Sequence, residues 1–546
     1  MALNPIVRQV REQLDVEGNT KIQLPVNFNF AFDIIDYAAD HHDKTAYLEV
    51  SSDGDTVISH SFSELKQRSS RVANFLEAIG CQRGEFAMVI LPRIPAWYEV
   101  IIGTIKLGVV SMPGTNLLTA KDIEYRVNKS GATTVIVTPE HVAKVEEIRS
   151  RCPTLKYFIA VGDSVGDWHN YERGLQTASP ELVSGEPGGC KGTDLMMAYF
   201  TSGTTAGPKL VPRDHHYALA HLTTGAYWLD LRPDDIHWTL SDTGWAKAAW
   251  GMLFSPWLLN TTLILYNGSG FDADLHLRLI SRLGVTTFCA PPTIFRMFAQ
   301  LDLNQYSLSS IRHTVSAGEP LNPEVIKVWQ SATGNSIYDG YGQTETVNIV
   351  ANRPSLPVKA GSMGKSVPGF DVRVVDDEGQ IVADDEIGHI ALVVTDPPPI
   401  GLFDGYYDGV SARNRDSFRN GLYYTGDTAT RDSDGYIWFV GRSDDVISSS
   451  GYRISPFEVE SVLLEHPAVA ESAVVGKPDE LRGQLVKAFI VLADGIEASD
   501  KLIEDIQEFV KVTTAPYKYP REIEFRENLP KTISGKIRRI ELRAET

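Results

Sequence analysis

Cysteine is scarce in this chain, and the few cysteines lie far apart. Among 546 residues there are only four, Cys81, Cys152, Cys190 and Cys289, and no two have the close spacing of a metal-binding pair. This scarcity argues against a disulfide framework and against a structural zinc site. Reduced cytosol is the natural compartment for such a composition, so a cytoplasmic location is predicted.

Positive charge and long apolar runs are also lacking. Lys and Arg total 51 against 70 for Asp and Glu, and the net charge of -19 argues against nucleic acid or an anionic membrane as the main partner. No stretch approaches roughly 18 uncharged apolar residues, and Arg8 and Arg11 lie where a secretory signal would need an apolar run. We therefore expect neither export nor a membrane span, and an anionic ligand would need local positive charge.

The first part of the chain alternates helical and strand patterns. Its length exceeds what one hydrophobic core supports, so two or more domains are expected. Ser61 and Glu64 form a capping box before a helix that Gly80 can close, and the apolar run 86–91 is typical of a buried parallel strand. The alternation continues with a helix at 98–107 and strands at 133–138 and 157–161. This pattern predicts an α/β fold with a largely parallel sheet, which binds ligands beyond the carboxyl ends of its strands.

The C-terminal part has a different pattern. Residues 473–475 and 486–492 are strand-like, and residues 503–510 give an apolar helical face that ends before Pro516. The polar segment 441–445 could link the two parts. The sequence thus predicts a large N-terminal α/β domain of residues 1–441 and a small α+β domain of residues 442–546.

The most informative stretch runs from Tyr199 to Lys209. Its sequence, Tyr-Phe-Thr-Ser-Gly-Thr-Thr-Ala-Gly-Pro-Lys, places four hydroxyls, two glycines and a lysine directly after an apolar segment. Backbone N–H groups, hydroxyls and one cation of this kind can wrap a polyphosphate. It is not a Walker A loop, because Pro208 precedes the lysine and Leu210 follows it. Standing alone, such a run would more often be a flexible polar turn.

Seven further motifs follow this loop. They are Ser-Asp-Thr-Gly-Trp at 241–245, Ala-Gly-Glu-Pro at 317–320, Tyr-Gly-Gln-Thr-Glu-Thr at 341–346, Tyr-Thr-Gly-Asp at 424–427, Gly-Arg-Ser-Asp-Asp at 441–445, Ser-Gly-Tyr-Arg at 450–453 and Pro-Lys-Thr-Ile-Ser-Gly-Lys at 530–536. In wording and order the eight motifs resemble the adenylate-forming superfamily of acyl-CoA synthetases, firefly luciferase and peptide-synthetase adenylation domains. The resemblance covers Phe62 to Arg543. Residues 449–454, 514–521 and 529–536 are most similar to medium-chain acyl-CoA synthetases.

The resemblance implies a reaction in two halves. A carboxylic acid, a medium-chain fatty acid or a similar one, reacts with MgATP to give acyl-AMP and pyrophosphate, and the thiol of coenzyme A then displaces AMP. ATP, Mg²⁺ and coenzyme A are thus the expected small molecules. The N-terminal domain is expected to bind ATP and the acid, and the C-terminal domain to act as a mobile catalytic lid that turns about Asp444.

The superfamily's nucleotide-binding residues transfer to matching positions. Glu345 is expected to ligate Mg²⁺ and, with Thr344, to take part in catalysis, because Mg²⁺ prefers carboxylates and phosphate oxygens. Asp427 suits the ribose hydroxyls and Tyr341 the adenine face. The full ATP and AMP set is Thr201, Ser202, Gly203, Thr204, Thr205, Lys209, Gly318, Glu319, Pro320, Asp339, Gly340, Tyr341, Gly342, Gln343, Thr344, Asp427 and Arg442.

Lys536 matches the superfamily's catalytic lysine. A carboxylate and an α-phosphate repel each other, and a cation that bridges them stabilises the transition state. A lysine in a basic tail is otherwise usually just solvated. Acetylation would remove its charge, so an acetyltransferase and a deacetylase are expected partners.

Other residues match the coenzyme A and acyl sites. Trp245 and Gly340 are expected to line the acyl pocket. His215 and His216 resemble no ligand pair and are expected at the surface. The coenzyme A set is Ser450, Gly451, Tyr452, Arg453, Arg482, Lys511 and Tyr519.

Three alternatives stay open at the level of sequence. The acyl group could pass to a carrier protein instead of coenzyme A. An aryl carboxylate would suit a pocket with a tryptophan wall as well as a fatty acid does. A catalytically silent nucleotide-binding protein is the third, although Lys209, Glu345, Asp427 and Lys536 are all intact.

Overall fold

The chain divides into two compact units. The computed structural model describes residues 3–182, 189–201, 207–268, 270–318, 323–359, 361–407, 413–414, 417–450, 452–479, 481–531 and 536–546. The first unit comprises Met1–Thr201, Lys209–Asp371 and Val394–Asp416, and the second comprises Ser202–Pro208, Val372–Val393 and Ser417–Thr546. The predicted boundary between residues 441 and 442 lies inside the second unit, which also takes in the preceding antiparallel sheet.

One nine-stranded sheet of the first unit carries most of the predicted nucleotide-binding motifs. Its central strands are parallel, and the strands at either end pair antiparallel with their neighbours. In spatial order the strands are Lys365–Ser366, Asn348–Ala351, Ile337–Gly342, His313–Ser316, Thr287–Ala290, Ile236–Thr239, Thr262–Tyr266, Thr45–Val50 and Val57–Ser61.

The second nine-stranded sheet of the first unit contains the strands predicted from the early apolar runs. Most of its strands are parallel, and Leu210–Asp214 is antiparallel to Leu195–Phe200. Their order is Arg413–Asn414, Tyr406–Tyr407, Leu210–Asp214, Leu195–Phe200, Val110–Pro113, Phe86–Ile90, Thr134–Val137, Tyr157–Ala160 and His169–Asn170. The predicted α/β fold with a largely parallel sheet is confirmed.

Helices pack against both sheets. The predicted capping box is present, since Ser61 Oγ accepts from the Glu64 N–H at 3.2 Å and the Glu64 carboxylate accepts from the Ser61 N–H at 2.8 Å. The α-helices of the first unit are Pro5–Leu14, Tyr37–His41, Phe62–Ala78, Pro95–Leu107, Ala120–Ser130, Pro139–Ile148, Tyr171–Thr177, His216–Thr223, Ala246–Ala248, Ser255–Leu258, Ala273–Leu283, Pro292–Phe298 and Pro323–Thr333. Short π-helical segments occupy Ala31–Asp36, Thr224–Trp228 and Ala249–Phe254, and short 3₁₀ segments occupy Arg149–Arg151 and Leu303–Gln305.

The second unit contains two five-stranded sheets. The first consists of Val372–Val375, Gly388–Val393, Leu422–Arg431, Phe418–Arg419 and Ile437–Arg442. The second consists of Tyr452–Ile454, Ile447–Ser449, Gly483–Leu492, Val469–Asp479 and Glu522–Phe525, with the helices Pro456–Leu463, Asp500–Thr513 and Arg539–Ala544. The α+β character predicted for the C-terminal part is confirmed.

The C-terminal helix Arg539–Ala544 is not the solvated, frayed tail that its basic composition suggests. Arg539 forms a 2.6 Å ion pair with the buried Glu460, and Arg543 forms a 2.9 Å ion pair with Asp445. Leu542 is fully buried. The helix therefore anchors the segment that follows the strand Ile437–Arg442.

No helix within the described ranges is both long and apolar enough to cross a membrane.

Candidate active site

The strand Ile337–Gly342 forms one wall of the site and needs its glycines. It runs parallel to His313–Ser316, with Ser316 opposite Asp339. A β-carbon at Gly340 would lie 2.5 Å from Asn348 Nδ2 and 2.7 Å from the Trp228 ring, and one at Gly342 would lie 2.7 Å from the Trp250 ring. Only glycine fits at either position without displacing a neighbour. Both glycines face the same side of the sheet, since the rings that approach them, Trp228 and Trp250, lie next to each other with centres 6.3 Å apart.

Asp339 sits at the carboxyl end of this sheet beside a positive charge. Its carboxylate accepts a hydrogen bond from the Gly340 N–H at 2.8 Å. Burial raises the pKa of Asp339 to about 7, while that hydrogen bond and the Lys247 ammonium oppose the rise. Lys247 also donates to the Ala317 carbonyl at 3.0 Å, next to Gly318. Lys247 was not predicted from the sequence, although it follows the Ser-Asp-Thr-Gly-Trp motif by only two residues.

The predicted phosphate-binding loop is closed at its base. The Thr201 N–H donates to the Lys209 carbonyl at 2.9 Å, and the Lys209 N–H donates to Thr201 Oγ1 at 3.1 Å. These bonds bring the two ends of the loop together. Ser202, Gly203, Thr204 and Thr205 of the predicted set lie outside the described residues, as do Glu319 and Pro320 beyond Gly318.

Glu345 and Lys209 come together through Tyr406. The Tyr406 hydroxyl donates to Glu345 Oε1 at 2.7 Å, and Lys209 Nζ lies 4.5 Å from the centre of the Tyr406 ring. The Phe403 N–H also donates to the Glu345 carbonyl at 2.9 Å. One tyrosine thus contacts both the predicted metal ligand and the predicted phosphate-binding cation. Tyr406 was missed at the sequence level, because a Gly-Tyr-Tyr segment carries no chemical signal.

Arg213 holds the backbone around Glu345. Its side chain is 2% exposed, and its guanidinium donates to the carbonyls of Gly401 at 2.9 Å, of Thr346 at 3.0 Å and of Thr344. Gln343 is fixed by the same turn, since its N–H donates to Thr346 Oγ1 at 3.0 Å. In the sequence, the position of an arginine within the mostly apolar strand Leu210–Asp214 could have indicated this role.

The acid at this site suits a magnesium ion held largely by a nucleotide. Glu345 is half-buried and presents a single hard carboxylate. Mg²⁺ is usually held by one or two carboxylates, phosphate oxygens and water. In the part of the chain that the structure describes, there is no cluster of three or more His, Cys, Asp or Glu that could hold a metal by itself. Glu345 therefore fits this mode of binding.

The expectation that His215 and His216 lie at the surface is wrong. His215 is 1% exposed, and burial lowers its pKa to about 4. His216 lies against the Pro25 carbonyl, with its Nε2 2.8 Å away. His215 immediately precedes the helix His216–Thr223, which packs inside the first unit, so the polarity of the two histidines did not predict exposure. Trp245 is half-buried at the start of the helix Ala246–Ala248.

In the second unit, two residues of the predicted nucleotide-binding set form a pair. Asp427 and Arg442 are opposite each other on adjacent antiparallel strands, and their side chains form a 3.2 Å ion pair. The Asp427 side chain is nearly buried, whereas that of Arg442 is half-exposed. Predicted hinge residue Asp444 follows directly, and its carbonyl accepts from Arg543 at 2.5 Å.

The predicted coenzyme A residues cluster on the C-terminal sheet. The Ser450 N–H donates to the Arg482 carbonyl at 2.8 Å, and the Arg482 guanidinium lies 3.3 Å from Ser450 Oγ. Tyr452 stacks on Tyr517 with ring centres 4.2 Å apart. Lys511 Nζ lies 4.5 Å from the centre of the Tyr519 ring. Gly451 and the side chain of Arg453 lie outside the described residues.

Lys536 lies in a closed and exposed loop. The Arg538 N–H donates to the Pro530 carbonyl at 2.9 Å, and Lys531 pairs with Ile537 in an isolated bridge. Lys536 is exposed at the end of this loop, and residues 532–535 lie outside the described residues. The structure therefore groups Lys209 and Glu345 in the first unit, and Asp427, Arg442, the Ser450 cluster and Lys536 belong to the second.

Comparisons with known proteins identify both parts of the chain. The family model of AMP-binding enzymes matches residues 35–407, and the model of the AMP-binding enzyme C-terminal domain matches residues 458–536. The chain is 45% identical to acyl-coenzyme A synthetase ACSM4, mitochondrial, of Mus musculus, over 95% of this chain and 91% of that protein. It is 44% identical to acyl-coenzyme A synthetase ACSM3, mitochondrial, of the same species, over 96% and 91%.

Solved structures share the whole fold. A Brucella canis acyl-CoA synthetase is 37% identical, with a TM-score of 0.74 over 99% of this chain and 97% of that one. The anthranilate CoA ligase AuaEII in complex with anthranoyl-AMP is 33% identical, with a TM-score of 0.86 over 96% and 98%.

The predicted cytoplasmic location is contradicted by these comparisons. The two curated synthetases above are both named as mitochondrial proteins. The prediction rested on cysteine scarcity and a charged N-terminal region, and neither property distinguishes one reducing compartment from another.

Proposed function

The chain belongs to the AMP-binding enzyme family as an ATP-dependent acyl-CoA synthetase, and we propose that its preferred acid is a medium-chain fatty acid activated at the site described above. The observation that carries the site assignment is the contact of Tyr406 with both Glu345 and Lys209. This contact supports a site in which the carboxylate proposed to bind the metal lies near the cation proposed to bind phosphate, at the end of a largely parallel sheet.

In the first half-reaction, a carboxylate oxygen of the acid attacks the α-phosphorus of ATP. The new linkage is a mixed carboxylic–phosphoric anhydride, and the bond between the α-phosphorus and the oxygen that bridges it to the β-phosphate breaks to release pyrophosphate. Lys209 lies at the base of the phosphate loop and balances phosphate charge, and Glu345 would hold Mg²⁺, which neutralises charge on the phosphates when bound. Lys536 supplies the cation between the carboxylate and the α-phosphate.

Tyr406 and Arg213 position these groups without touching substrate. Tyr406 fixes the Glu345 carboxylate through its hydroxyl, and Arg213 fixes the main chain on either side of it. A carboxylate held in this way meets the metal in one geometry, so the Glu345 side chain loses less conformational freedom when the metal binds.

In the second half-reaction, the thiol of coenzyme A attacks the acyl carbonyl and AMP leaves. Ser450, Arg482, Lys511 and Tyr519 would bind coenzyme A, whose phosphates require cations. Residues 442–546 turn about Asp444 so that Lys536 serves the first half-reaction and Gly451 the second.

A pyrophosphate-release screen tests the substrate assignment. Straight-chain acids of increasing length, branched acids and aromatic acids would each be supplied with ATP, Mg²⁺ and coenzyme A. We expect the highest kcat/KM for medium-length straight chains. Highest activity with very short, very long or aromatic acids would contradict the assignment.

An aryl-CoA ligase is the second candidate. It is favoured by the aromatic residues around Gly340 and Gly342, where Trp228 and Trp250 meet with ring centres 6.3 Å apart. A solved relative, the anthranilate CoA ligase, is described in complex with an aromatic acyl-AMP. The aromatic acids in the screen discriminate between the two candidates.

Acetylation of Lys536 is a further part of the proposal. The residue is exposed in the loop 530–538, where a modifying enzyme could reach it. Acetylation removes its positive charge, so it would block acyl-AMP formation. Incubating the enzyme with a lysine acetyltransferase, followed by mass spectrometry and the pyrophosphate assay, tests this part.

A further inference from the structure

His221 is a buried histidine whose ring nitrogens are unsatisfied. It lies in the helix His216–Thr223 and has no exposed surface. Its ring stacks on Phe254 with centres 5.6 Å apart and meets Tyr217 edge-on at 4.5 Å. Neither Nδ1 nor Nε2 has a hydrogen-bond partner among the described residues. Burial holds its pKa well below the ordinary value, so the neutral ring offers one donor and one acceptor.

Asn348 is a second buried group of the same kind. It begins the strand Asn348–Ala351 and has no exposed surface. Within the described part of the chain, neither its Oδ1 nor its Nδ2 has a hydrogen-bond partner. Its amide lies directly against Gly340, where a β-carbon would come within 2.5 Å of Nδ2. Asn348 therefore lies beside Gly340, a residue predicted to line the acyl pocket.

Two tryptophans connect these groups. The Trp250 ring lies 6.3 Å from the His221 ring and 6.3 Å from the Trp228 ring, measured between centres. Trp228 lies against Gly340, and Trp250 lies against Gly342. His221 and Asn348 thus belong to one aromatic region of the first unit, on the face of the sheet where both glycines leave out their side chains.

The helices that supply these rings are irregular. Trp228 ends the π-helical segment Thr224–Trp228, and Trp250 and Phe254 belong to the π-helical segment Ala249–Phe254. Such segments are rare and occur frequently at functional sites. The two segments approach each other through Trp228 and Trp250, and His221 packs against Trp250 and Phe254 of the second, which is consistent with a functional region.

The unsatisfied ring nitrogens of His221 and the unsatisfied amide atoms of Asn348 require an explanation, because buried polar groups are nearly always hydrogen-bonded. A ligand that supplies the missing bonds removes the penalty of leaving them unmade. We propose that His221 and Asn348 determine the specificity of the acyl pocket, and that the acid they select carries an uncharged hydrogen-bonding group, a hydroxyl or a carbonyl, on its acyl part. This inference rests on the proposed acyl-CoA synthetase function.

The chemistry of the region favours an uncharged group. Both side chains are neutral and can each donate and accept. The Arg213 guanidinium lies 4.3 Å from the centre of the Tyr217 ring, next to His221, and would repel an ammonium group. The terminal nitrogens of Arg213 already donate to three main-chain carbonyls and hold the main chain around Glu345.

Paired acids test the proposal. Hexanoic acid and its terminal hydroxy derivative form one pair, and benzoic acid and para-hydroxybenzoic acid form another. The measured quantity is the discrimination ratio, the kcat/KM of the hydroxylated acid divided by that of its parent. We expect the wild type to prefer the hydroxylated acid in at least one pair. His221→Phe and Asn348→Leu should each lower that ratio about tenfold, mainly through the hydroxylated acid.

A second readout uses the enzyme without any acid. His221→Phe should raise the melting temperature, because it removes unsatisfied polar atoms from an aromatic region. His237→Phe is the matched control, since both nitrogens of the buried His237 lie 2.7 Å from threonine hydroxyls. It should lower the melting temperature and leave the discrimination ratio unchanged.

The outcomes distinguish failure of the specificity proposal from failure of the proposed acyl-CoA synthetase function on which it rests. Turnover of the parent acids with no preference for either hydroxylated acid, or a ratio unchanged in both variants, would overturn the inference alone. Internal water at His221 and Asn348 would give this result, because water would satisfy the same atoms. Absence of pyrophosphate release with every acid would overturn the proposed function as well.

Discussion

Lys536 is the residue whose loss should separate the two half-reactions most clearly. Lys536→Ala removes the cation between the carboxylate and the α-phosphate, so acyl-AMP formation should fall ~100-fold or more. Thioester formation from supplied acyl-AMP should be much less affected, since that step does not bring the two anions together. ATP-pyrophosphate exchange and thioester formation would be measured on the same sample.

Lys531 offers a control for this variant. It lies in the same basic loop but forms a 2.7 Å ion pair with Glu471. Lys531→Ala should leave both half-reactions near their original rates. Near-normal exchange in Lys536→Ala, or equal defects in the two variants, would remove the catalytic role from Lys536.

Tyr406 should affect the magnesium requirement rather than the fold. Tyr406→Phe keeps the ring beside Lys209 but loses the hydrogen bond to Glu345. A carboxylate without this bond is less well oriented, so the Mg²⁺ concentration for half-maximal activity should rise about tenfold. The melting temperature should change little. Tyr407→Phe, one residue further along the same strand, is the control and should leave the Mg²⁺ requirement unchanged.

Asp339 should make stability depend on pH near neutrality. Its folded-state pKa of about 7 is above the ordinary 3.8, so the stability it contributes is present at low pH and is lost as the pH rises through about 7. Asp339→Asn cannot ionise. The melting temperature of this variant relative to wild type should therefore increase between about pH 5 and about pH 8. If the difference in melting temperature between the variant and the wild type is constant across this pH range, ionisation of Asp339 is not the cause of the pH dependence.

At the level of secondary-structure elements, the prediction concerns how glycine substitutions in the strand Ile337–Gly342 affect stability. At Gly342 a β-carbon would overlap the Val347 main chain, which cannot move aside as a side chain can. At Gly340 it would meet only the side chains of Asn348 and Trp228. Gly342→Ala should lower the free energy of unfolding by about 1–3 kcal/mol, and Gly340→Ala by less. Urea unfolding measures both, and the reverse order would contradict the packing described here.

Elements with a local chemical signature were the ones predictable from sequence. The capping box of Ser61 and Glu64 and the apolar run that became Phe86–Ile90 depend on residues adjacent in the chain, so pattern alone located them. The positions of Lys209 and Glu345 followed from motif resemblance. Their common contact did not, because Tyr406 reaches Glu345 from a strand 61 residues away.

Elements whose role depends on tertiary packing escaped prediction. Arg213 lies in a strand of mostly apolar residues, and its three carbonyl partners come from two distant loops. The polarity of His215 suggested exposure, yet the helix it precedes is buried. Likewise, the polar segment 441–445 begins as part of the strand Ile437–Arg442 and is not a free linker throughout. Burial of this kind depends on residues remote in sequence.

For the molecule as a whole, the proposed mechanism has residues 442–546 reorient between the two half-reactions. Asp444 is the proposed pivot, and proline there would fix φ near roughly -65° and remove an N–H. Asp444→Pro should therefore trap one orientation and spare one half-reaction, which we expect to be adenylation. Pyrophosphate exchange and thioester formation from synthetic acyl-AMP would be measured on one folded sample.

The contacts on either side of Asp444 provide a matched control for the Asp444→Pro variant. On one side, the Ser443 N–H donates to the Gly426 carbonyl at 2.9 Å, and on the other, Asp445 pairs with Arg543. Ser443→Pro is the matched variant, because it breaks that hydrogen bond. It should lower stability as well as activity. Equal losses of both half-reactions in Asp444→Pro would remove Asp444 from the pivot role.

The helix Arg539–Ala544 also has a consequence for the gene. Arg539 neutralises the buried carboxylate of Glu460, and Arg543 reaches the segment next to the pivot. A nonsense or frameshift mutation that falls after the codon for Lys536 and before the codon for Arg539 would spare every motif, yet remove the cation that pairs with the buried Glu460. Isolating a buried carboxylate destabilises a fold strongly. Truncating alleles of this kind are therefore expected to be null alleles.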